Sequence, residues 1–494
     1  MPAPSGPTGR HDDPSSWGND RPAREHLVRL RRLLGFDVGD LSKALGAVLT
    51  VVVVGAASIA IALKVAPLQT VSAFGQTVQV GAAAPTLNFS GPGVLDLFGQ
   101  SLETTVQFAG PVRPRLVLSR ITVNRQVANV FAPRNKQASV RTLGRDLADG
   151  FTRYFIWELL IVAGAAAVLF GAIAGWRRFD RKRTLVLVVV GCLVVEAFNV
   201  GAVMYTTYSA PQVLSQVGSL DELVGRSPLT PLPAPVGPKV GDVEAVVIGD
   251  STASGAGLPL VPNPTAVDRA CARSVDSYAS DLAHVNDWNV ENLACSSATI
   301  EQGLLGPQQI GSVVVPAQLG LAKQITGESL LAVSIGADDM QWSALFKLCA
   351  VSAECNNQAA TAFFQSNLAA FTQDYYDLLK ELTGLPGKPQ ILINSYYDPF
   401  GPRSGCLASE GLTLTKIKVL RSQVDDLNAV LAKGAQVSGF TSVRPDFTGH
   451  QLCSPDPYVQ GLGDPAPFHP NVAGALAIAL ADEKAIPQQR GAAR

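Results

Sequence analysis

Three long apolar runs constrain this 494-residue chain more than any other feature. They cover residues 45–63, 155–176 and 184–208. Each is close to the ~20 helical residues that cross a bilayer core of ~30 Å. We therefore predict three transmembrane helices. The first is predicted to be an uncleaved signal anchor, because the 1–44 segment is much longer than an ordinary n-region and no A-x-A site follows closely.

The composition agrees with a membrane protein. Only 16% of the residues are charged, whereas an ordinary soluble domain carries ~25%. This deficit argues against a wholly soluble protein and against disorder. The net charge of −1 lacks the basic excess of a nucleic-acid binder, so nucleic acid is not expected as a partner.

Basic residues near the spans predict the orientation. They precede the first span and fill the loop 177–183, at Arg24, Arg29, Arg31, Arg32, Lys43, Arg177, Arg178, Arg181, Lys182 and Arg183. We therefore expect a cytoplasmic tail at 1–44 and a cytoplasmic loop at 177–183. Residues 64–154 and everything after 208 are predicted to lie outside, with membrane lipid contacting the three helices.

The cysteines point to the same side of the membrane. Cys192 lies in an apolar run, and the other six lie in the C-terminal half, at Cys271, Cys295, Cys349, Cys355, Cys406 and Cys453. An even set in one region suggests disulfides and an oxidising compartment. Sequence alone permits 15 connectivities. No metal is expected, because the spacing of these cysteines and of the histidines does not fit a zinc site.

The segments outside the apolar runs differ in character. Residues 64–154 alternate apolar and polar positions, as in QTVQV at 76–80 and LETTVQF at 102–108, which predicts a small β-rich domain. It contains no catalytic constellation. Residues 209–241 are Pro-rich and predict a stiff, extended linker.

Residues 242–487 alternate strand-like and helical stretches. Strands are predicted at 243–249, 330–336 and 390–397, and helices at 361–383 and 413–434. This alternation predicts an α/β domain with a mostly parallel sheet. Sites in such sheets lie at the carboxyl ends of the strands.

Two features at opposite ends of this region suggest chemistry. The first strand ends in Gly249-Asp250-Ser251, and His469 precedes an Ala-rich helix. A serine needs a base to become a nucleophile, and histidine suits that task. Taken separately, Gly-Asp-Ser is ordinary turn chemistry and a lone histidine in a Pro-rich loop is more often structural.

Four sequence blocks together resemble the SGNH (GDSL) hydrolases. In the family's order they are the Gly-Asp-Ser motif, NLACSSAT at 292–299, SIGADD at 334–339 and PFHPN at 467–471. FTGHQLC at 447–453 is similar to a segment of secreted actinobacterial members, which carry six cysteines. The resemblance implies an SGNH-type three-layer α/β domain, a serine esterase activity and no cofactor.

The resemblance also implies the roles of single residues. Ser251 matches the nucleophile, and its N–H would contribute to the oxyanion hole. His469 matches the general base. The cysteines would pair sequentially, as Cys271–Cys295, Cys349–Cys355 and Cys406–Cys453.

Three positions depart from the family pattern. Ser297 replaces a glycine that donates its N–H to the oxyanion, and this donor survives only where the backbone tolerates a side chain. Asp338 replaces an asparagine of the oxyanion hole, so it either donates as a neutral acid or points elsewhere. Ala466 stands where an aspartate often orients the histidine, which leaves Asp464 or a backbone carbonyl for that task.

Three functions remain open at this point. The first is a membrane-anchored extracytoplasmic serine esterase acting on acyl esters of envelope lipids or acylated glycans. The second is an O-acyltransferase that uses the same acyl-enzyme. The third is a non-catalytic binding or scaffold module, which Asp338 favours. The natural substrate and the oligomeric state are not encoded in any motif.

Overall fold

The computed structural model describes residues 38–73, 76–83, 90–109, 112–121, 136–214, 243–325, 327–402 and 405–486. The predicted tail up to residue 37 and the linker residues 215–241 lie outside these ranges. The chain divides into two compact units. Among the described residues, one unit contains those up to Ala62 with Ile161–Phe198, and the other contains those of Leu63–Leu160 with those from Asn199 onward.

Three helices are long and apolar enough to cross a membrane. They are α1 (Val38–Val65), α2 (Lys136–Trp176) and α3 (Arg181–Leu214). Their apolar parts run over Leu45–Val65, Asp146–Trp176 and Arg181–Tyr205. Each contains one of the predicted spans. Residues 136–154 are helical, however, although we assigned them to the β-rich segment.

The first unit is held by small and apolar side chains. Its buried core consists of Val54, Ala62, Val162, Ala166, Phe170 and Val195. A Cβ atom added at Gly191 would lie 2.6 Å from the Phe170 ring, so glycine permits this close approach. Such packing is usual between helices in a membrane, where small residues bring backbones together.

The predicted β-rich segment forms a five-stranded sheet. Its strands are β1 (Gln69–Ala73), β2 (Gln76–Ala82), β3 (Ser90–Leu97), β4 (Gln100–Ala109) and β5 (Pro114–Ile121). The order is β1-β2-β5-β3-β4, and only the pair β3–β5 is parallel. Leu102, Val106 and Phe108 alternate with exposed residues along β4, as a half-buried strand requires.

The C-terminal domain contains a parallel five-stranded sheet. Along the chain come β6 (Ala245–Gly249), β7 (Val290–Asn292), β8 (Gln308–Ile310), β9 (Val313–Val315), β10 (Leu330–Ser334), β11 (Gln390–Asn394) and β12 (Thr441–Val443). The main sheet has the order β12-β11-β10-β6-β7, and all its pairs are parallel. Strands β8 and β9 form a separate hairpin.

Helices surround this sheet. They are α4 (Ser251–Ser254), α5 (Ala266–Cys271), α6 (Tyr278–Asn286), α7 (Gln318–Ala322), α8 (Trp342–Val351), α9 (Gln358–Thr383), α10 (Leu414–Ser438) and α11 (Val472–Ala485). The long ones begin at side-chain caps: Asn357 accepts from the Ala360 N–H and Thr413 from the Lys416 N–H. This architecture is an SGNH-like α/β fold.

Three disulfides connect Cys271 with Cys295, Cys349 with Cys355, and Cys406 with Cys453. This is the sequential pairing that the resemblance implies. Cys192 is the free cysteine among the described residues. The central strands β6 and β10 end side by side, with Ser334 opposite Gly249, and this edge of the sheet carries the candidate site.

Candidate active site

Ser251 lies on a sharp turn between a strand and a helix. Strand β6 ends at Gly249, whose φ is 152° and whose added Cβ would lie 2.1 Å from the Ser334 carbonyl oxygen. Only glycine fits such a close approach. Asp250 then caps α4, accepting at Oδ1 from the Thr252 N–H at 2.9 Å. The turn therefore presents Ser251 at the carboxyl end of the sheet.

A buried glutamine fixes the end of this strand. The Gln318 side chain donates to the Gly249 carbonyl at 2.9 Å and accepts from the Gly249 N–H at 2.8 Å. It thereby supplies an acceptor for the Gly249 N–H, while the Gly249 carbonyl also accepts from the Cys295 N–H at 3.0 Å. Sequence reasoning missed Gln318, since a single glutamine 69 positions away gives no local signal.

His469 reaches Ser251 across the domain. Its Nε2 lies 2.7 Å from Ser251 Oγ, and its Nδ1 lies 3.2 Å from the Pro467 carbonyl oxygen. A carbonyl only accepts, so Nδ1 carries the proton and Nε2 is left to accept from the serine hydroxyl. This arrangement matches a nucleophile beside its base.

The histidine loop is fastened to the serine loop by another buried glutamine. Gln460 Nε2 donates to the carbonyls of Ala256 at 2.8 Å and Pro470 at 3.0 Å, and its Oε1 accepts from the Ala466 N–H. This one side chain thus bonds to both loops. No sequence pattern pointed to Gln460.

Asp464 does not orient His469. Its carboxylate accepts from the Gly461 N–H at 2.7 Å and closes a local turn instead. The Pro467 carbonyl occupies Nδ1, so the backbone alternative is the one that the structure contains. The spacing of five residues between Asp464 and His469 could not predict whether the Asp464 side chain faces the histidine, because the loop bends between them.

Behind Ser251 lies a chain of buried hydrogen bonds. The Tyr396 hydroxyl donates to Asp250 Oδ2 and accepts from the Ala337 N–H at 2.8 Å. Burial raises the pKa of Asp250, while its hydrogen bonds with Tyr396 and Thr252 oppose that shift. Asn428 holds Tyr396 by bonds of 2.7 Å to its N–H and its carbonyl. Tyr396 therefore links Asp250, the residue before Ser251, to the loop after β10 and to α10.

Two backbone N–H groups are available for an oxyanion. Ser251 is the first residue of α4, where N–H groups lack partners within the helix. Ser297 has a φ of 62°, and within the described ranges the structure gives its N–H no protein acceptor. The backbone therefore keeps the left-handed conformation that favours glycine, although a serine stands there.

Asp338 has the environment of a neutral acid. Burial, and then the nearby negative charge of Asp250, raise its pKa to about 7. In the described part of the chain its Oδ2 is buried without a hydrogen-bond partner. A protonated Oδ2 could donate to an oxyanion, whereas an ionised one would repel it.

The neighbouring Asp339 has a different task. Its Oδ1 accepts from the Ile300 N–H at 2.9 Å and ties the loop after β10 to the segment after Ser297. Burial raises its pKa to about 8. No group of three or more potential metal ligands occurs among the described residues.

An aromatic cluster adjoins the histidine. The centroid of the Phe468 ring lies 4.4 Å from that of Phe346 and 5.8 Å from that of Phe400. The Tyr397 hydroxyl donates to the Phe468 carbonyl at 2.8 Å. Phe468 has a φ of 69°, which is rare for a bulky residue. These contacts hold the strained residue directly before His469.

Known proteins are similar to this domain. Residues 247–477 match the GDSL-like Lipase/Acylhydrolase family. A lipase of Streptomyces rimosus is 28% identical over 250 residues, covering 48% of this chain and 84% of that protein. Lipase 1 of Streptomyces coelicolor is 29% identical over 238 residues, covering 46% and 81%.

Solved structures are similar as well. The extracellular lipase from Streptomyces rimosus has a TM-score of 0.41 at 23% identity, over 49% of this chain and 99% of that one. Phospholipase A1 from Streptomyces albidoflavus NA297 has a TM-score of 0.39 at 21% identity, over 50% and 99%.

The family match and the two curated lipases define the class of the C-terminal half as an SGNH-type hydrolase domain. Residues 247–477 belong to the GDSL-like lipase/acylhydrolase family. In this chain the domain follows three helices long and apolar enough to span a membrane.

Proposed function

We propose that this chain is a membrane-anchored, extracytoplasmic serine esterase that hydrolyses acyl esters. The observation that carries the proposal is the distance of 2.7 Å between Ser251 Oγ and His469 Nε2. Ser251 would attack the ester carbonyl while His469 takes its proton. His469 would then give that proton to the departing alcohol, and water would release the acid from Ser251.

The oxyanion that forms in this attack needs donors. The N–H groups of Ser251 and Ser297 are candidates, and a protonated Asp338 is a third. Removing one such donor typically costs ~10²–10³ in rate. The Pro467 carbonyl takes the place of an acidic residue behind His469, so the site would act as a dyad.

The location also belongs to the proposal. Basic residues before α1 and between α2 and α3 favour a cytoplasmic position for both segments. The domain would then lie outside, where disulfides persist. Such a position suggests envelope lipids or acylated glycans as substrates.

The test uses the full-length chain purified in detergent. We expect Ser251→Ala to lose hydrolysis of short p-nitrophenyl esters by at least about 10³-fold, because the nucleophile is gone. A fluorophosphonate probe should label the wild type at Ser251 and leave the variant unlabelled.

Ser254→Ala is a matched control, since Ser254 lies one helical turn away and, among the described residues, its hydroxyl donates only to the Ser251 carbonyl, at 3.3 Å. It should retain labelling and hydrolysis. Folded wild-type protein that neither hydrolyses esters nor reacts with the probe would contradict the proposal and favour a binding module.

A further inference from the structure

The five-stranded sheet β1–β5 lies in the same compact unit as the C-terminal domain. Strands β3 and β4 contact α9, and β5 contacts α10. Buried apolar side chains of both parts form one continuous core, which includes Leu95, Leu97 and Phe98 of the sheet and Tyr375, Leu379 and Leu431 of the helices.

The tip of the β3–β4 hairpin makes the clearest contact. Leu97 pairs with Gln100, so Phe98 and Gly99 form a two-residue turn, and both have positive φ (53° and 88°). Turns of this kind prefer Asn or Asp before Gly, and a bulky residue is strained there. Phe98 is nevertheless only 3% exposed.

The Phe98 ring packs edge-on against Tyr375, with 5.6 Å between the ring centroids. Tyr375 is fully buried on α9, and its hydroxyl donates to the Leu431 carbonyl of α10 at 2.9 Å. The turn thus accepts an unfavourable residue because the ring packs on Tyr375 of α9, the side chain that itself bonds α10.

Helix α10 leads from this contact to the site. Asn428 lies one turn before Leu431 and holds the Tyr396 backbone by two bonds. Tyr396 in turn donates to Asp250, next to Ser251. Gly434 lies on the same helix, where an added Cβ would lie 2.3 Å from the Tyr375 ring. Helices α9 and α10 are therefore in close contact at this point.

We propose that the sheet β1–β5 is a built-in docking partner of the SGNH domain, and that Phe98 is a positioning residue that holds α9 and α10 behind the Ser251 turn. The docking stands independently of the reaction. The effect on Ser251 rests on the proposed esterase function.

The test compares Phe98→Asn with the wild type in full-length protein. Asparagine suits the left-handed turn, so the variant keeps the hairpin and loses only the ring. Hydrogen exchange should rise by roughly tenfold or more in the segments around Tyr375 and Leu431, while β6 and β10 stay protected. The rate at which a fluorophosphonate labels Ser251 should fall several-fold.

Gln107→Ala is the control, because Gln107 is exposed on β4. It should leave both readouts unchanged. Unaltered exchange in α9 and α10 of Phe98→Asn, or an equal rise throughout the domain, would overturn the docking. Faster exchange in α9 and α10 at an unchanged labelling rate would overturn the positioning role alone. Wild-type protein that is inert to the probe would contradict the esterase function and leave the exchange result to decide the docking.

Discussion

At the scale of single residues, Asp338 would make the proposed reaction depend on pH if it is one of the oxyanion donors. Its pKa of about 7 means that the neutral carboxylic acid predominates below that pH and the carboxylate above it. Only the neutral form has a proton to donate to an oxyanion. The residue that departs from the family pattern therefore makes one oxyanion donor conditional.

We expect Asp338→Asn to remove this condition, because an amide donates at every pH. The ratio of kcat/KM for Asp338→Asn to that of the wild type should be flat below pH ~6 and should rise as the pH passes about 7. Taking the ratio cancels the titration of groups that both proteins share. Ester hydrolysis from pH 5 to 9 measures it.

Asp464→Asn is the comparison, since the Asp464 carboxylate bonds the Gly461 N–H, whereas His469 Nδ1 lies against the Pro467 carbonyl. Its ratio to the wild type should be close to one and independent of pH. A flat ratio for Asp338→Asn as well would show that Asp338 contributes no donor.

The sequence identified some site residues and missed others for a physical reason. Ser251 and His469 belong to short motifs whose chemistry is local, so they could be predicted. The sequence left both Asp464 and a backbone carbonyl open as the partner of His469 Nδ1, because position along a bent loop does not specify direction; the structure has the Pro467 carbonyl there. The sequence did not identify Gln318, Gln460 and Tyr396, because their contacts are with residues far away in the chain and no local motif contains them.

At the scale of elements, the Ser251 turn depends on how closely two strands approach. Gly249 lies so near the Ser334 carbonyl that no side chain fits, and its φ is also positive. The junction between β6 and α4 therefore requires a residue without a Cβ atom at position 249.

We expect Gly249→Ala to destabilise the domain by more than about 3 kcal/mol, because the clash is with backbone that cannot rotate away. Gly439 has a φ of 76° but open space around it, so Gly439→Ala should cost only about 1–2 kcal/mol for its conformation. Thermal loss of probe labelling in the full-length chain compares the two. Equal losses would show that conformation alone, rather than the close approach, requires glycine.

Element type was easier to predict than arrangement. The apolar runs predicted three long apolar helices, and the alternating segments predicted β2, β4, β6, β10 and β11 within a few residues, whereas the short strands β7 and β12 were not predicted. The start of α2 at Lys136 was missed, because residues 136–154 lack a continuous apolar run. The parallel pairing of β3 with β5 could not be predicted either. The alternation of apolar and polar residues indicates which face of a strand is buried, but not which strand lies beside it.

At the scale of the whole molecule, the position of each segment relative to the bilayer can be measured. Asp180 lies between α2 and α3 and its side chain is 60% exposed, and Asp464 lies in an exposed loop of the SGNH domain. Both positions suit substitution by cysteine in a chain that also carries Cys192→Ala.

In spheroplasts, a membrane-impermeant maleimide should label Asp464→Cys directly. It should label Asp180→Cys only after the membrane is permeabilised, because the positive charges of that loop predict a cytoplasmic position. Labelling in the opposite order would place the SGNH domain in the cytoplasm.

The shared core of the sheet and the SGNH domain has a topological consequence. Residues 69–121 and 243–486 touch, yet α2 and α3 come between them along the chain. Two parts in contact must lie in the same compartment, so the intervening stretch has to make an even number of crossings. If α2 and α3 each cross the membrane, as proposed, they satisfy that parity together, and a chain with one of them deleted would place the halves of this core on opposite sides.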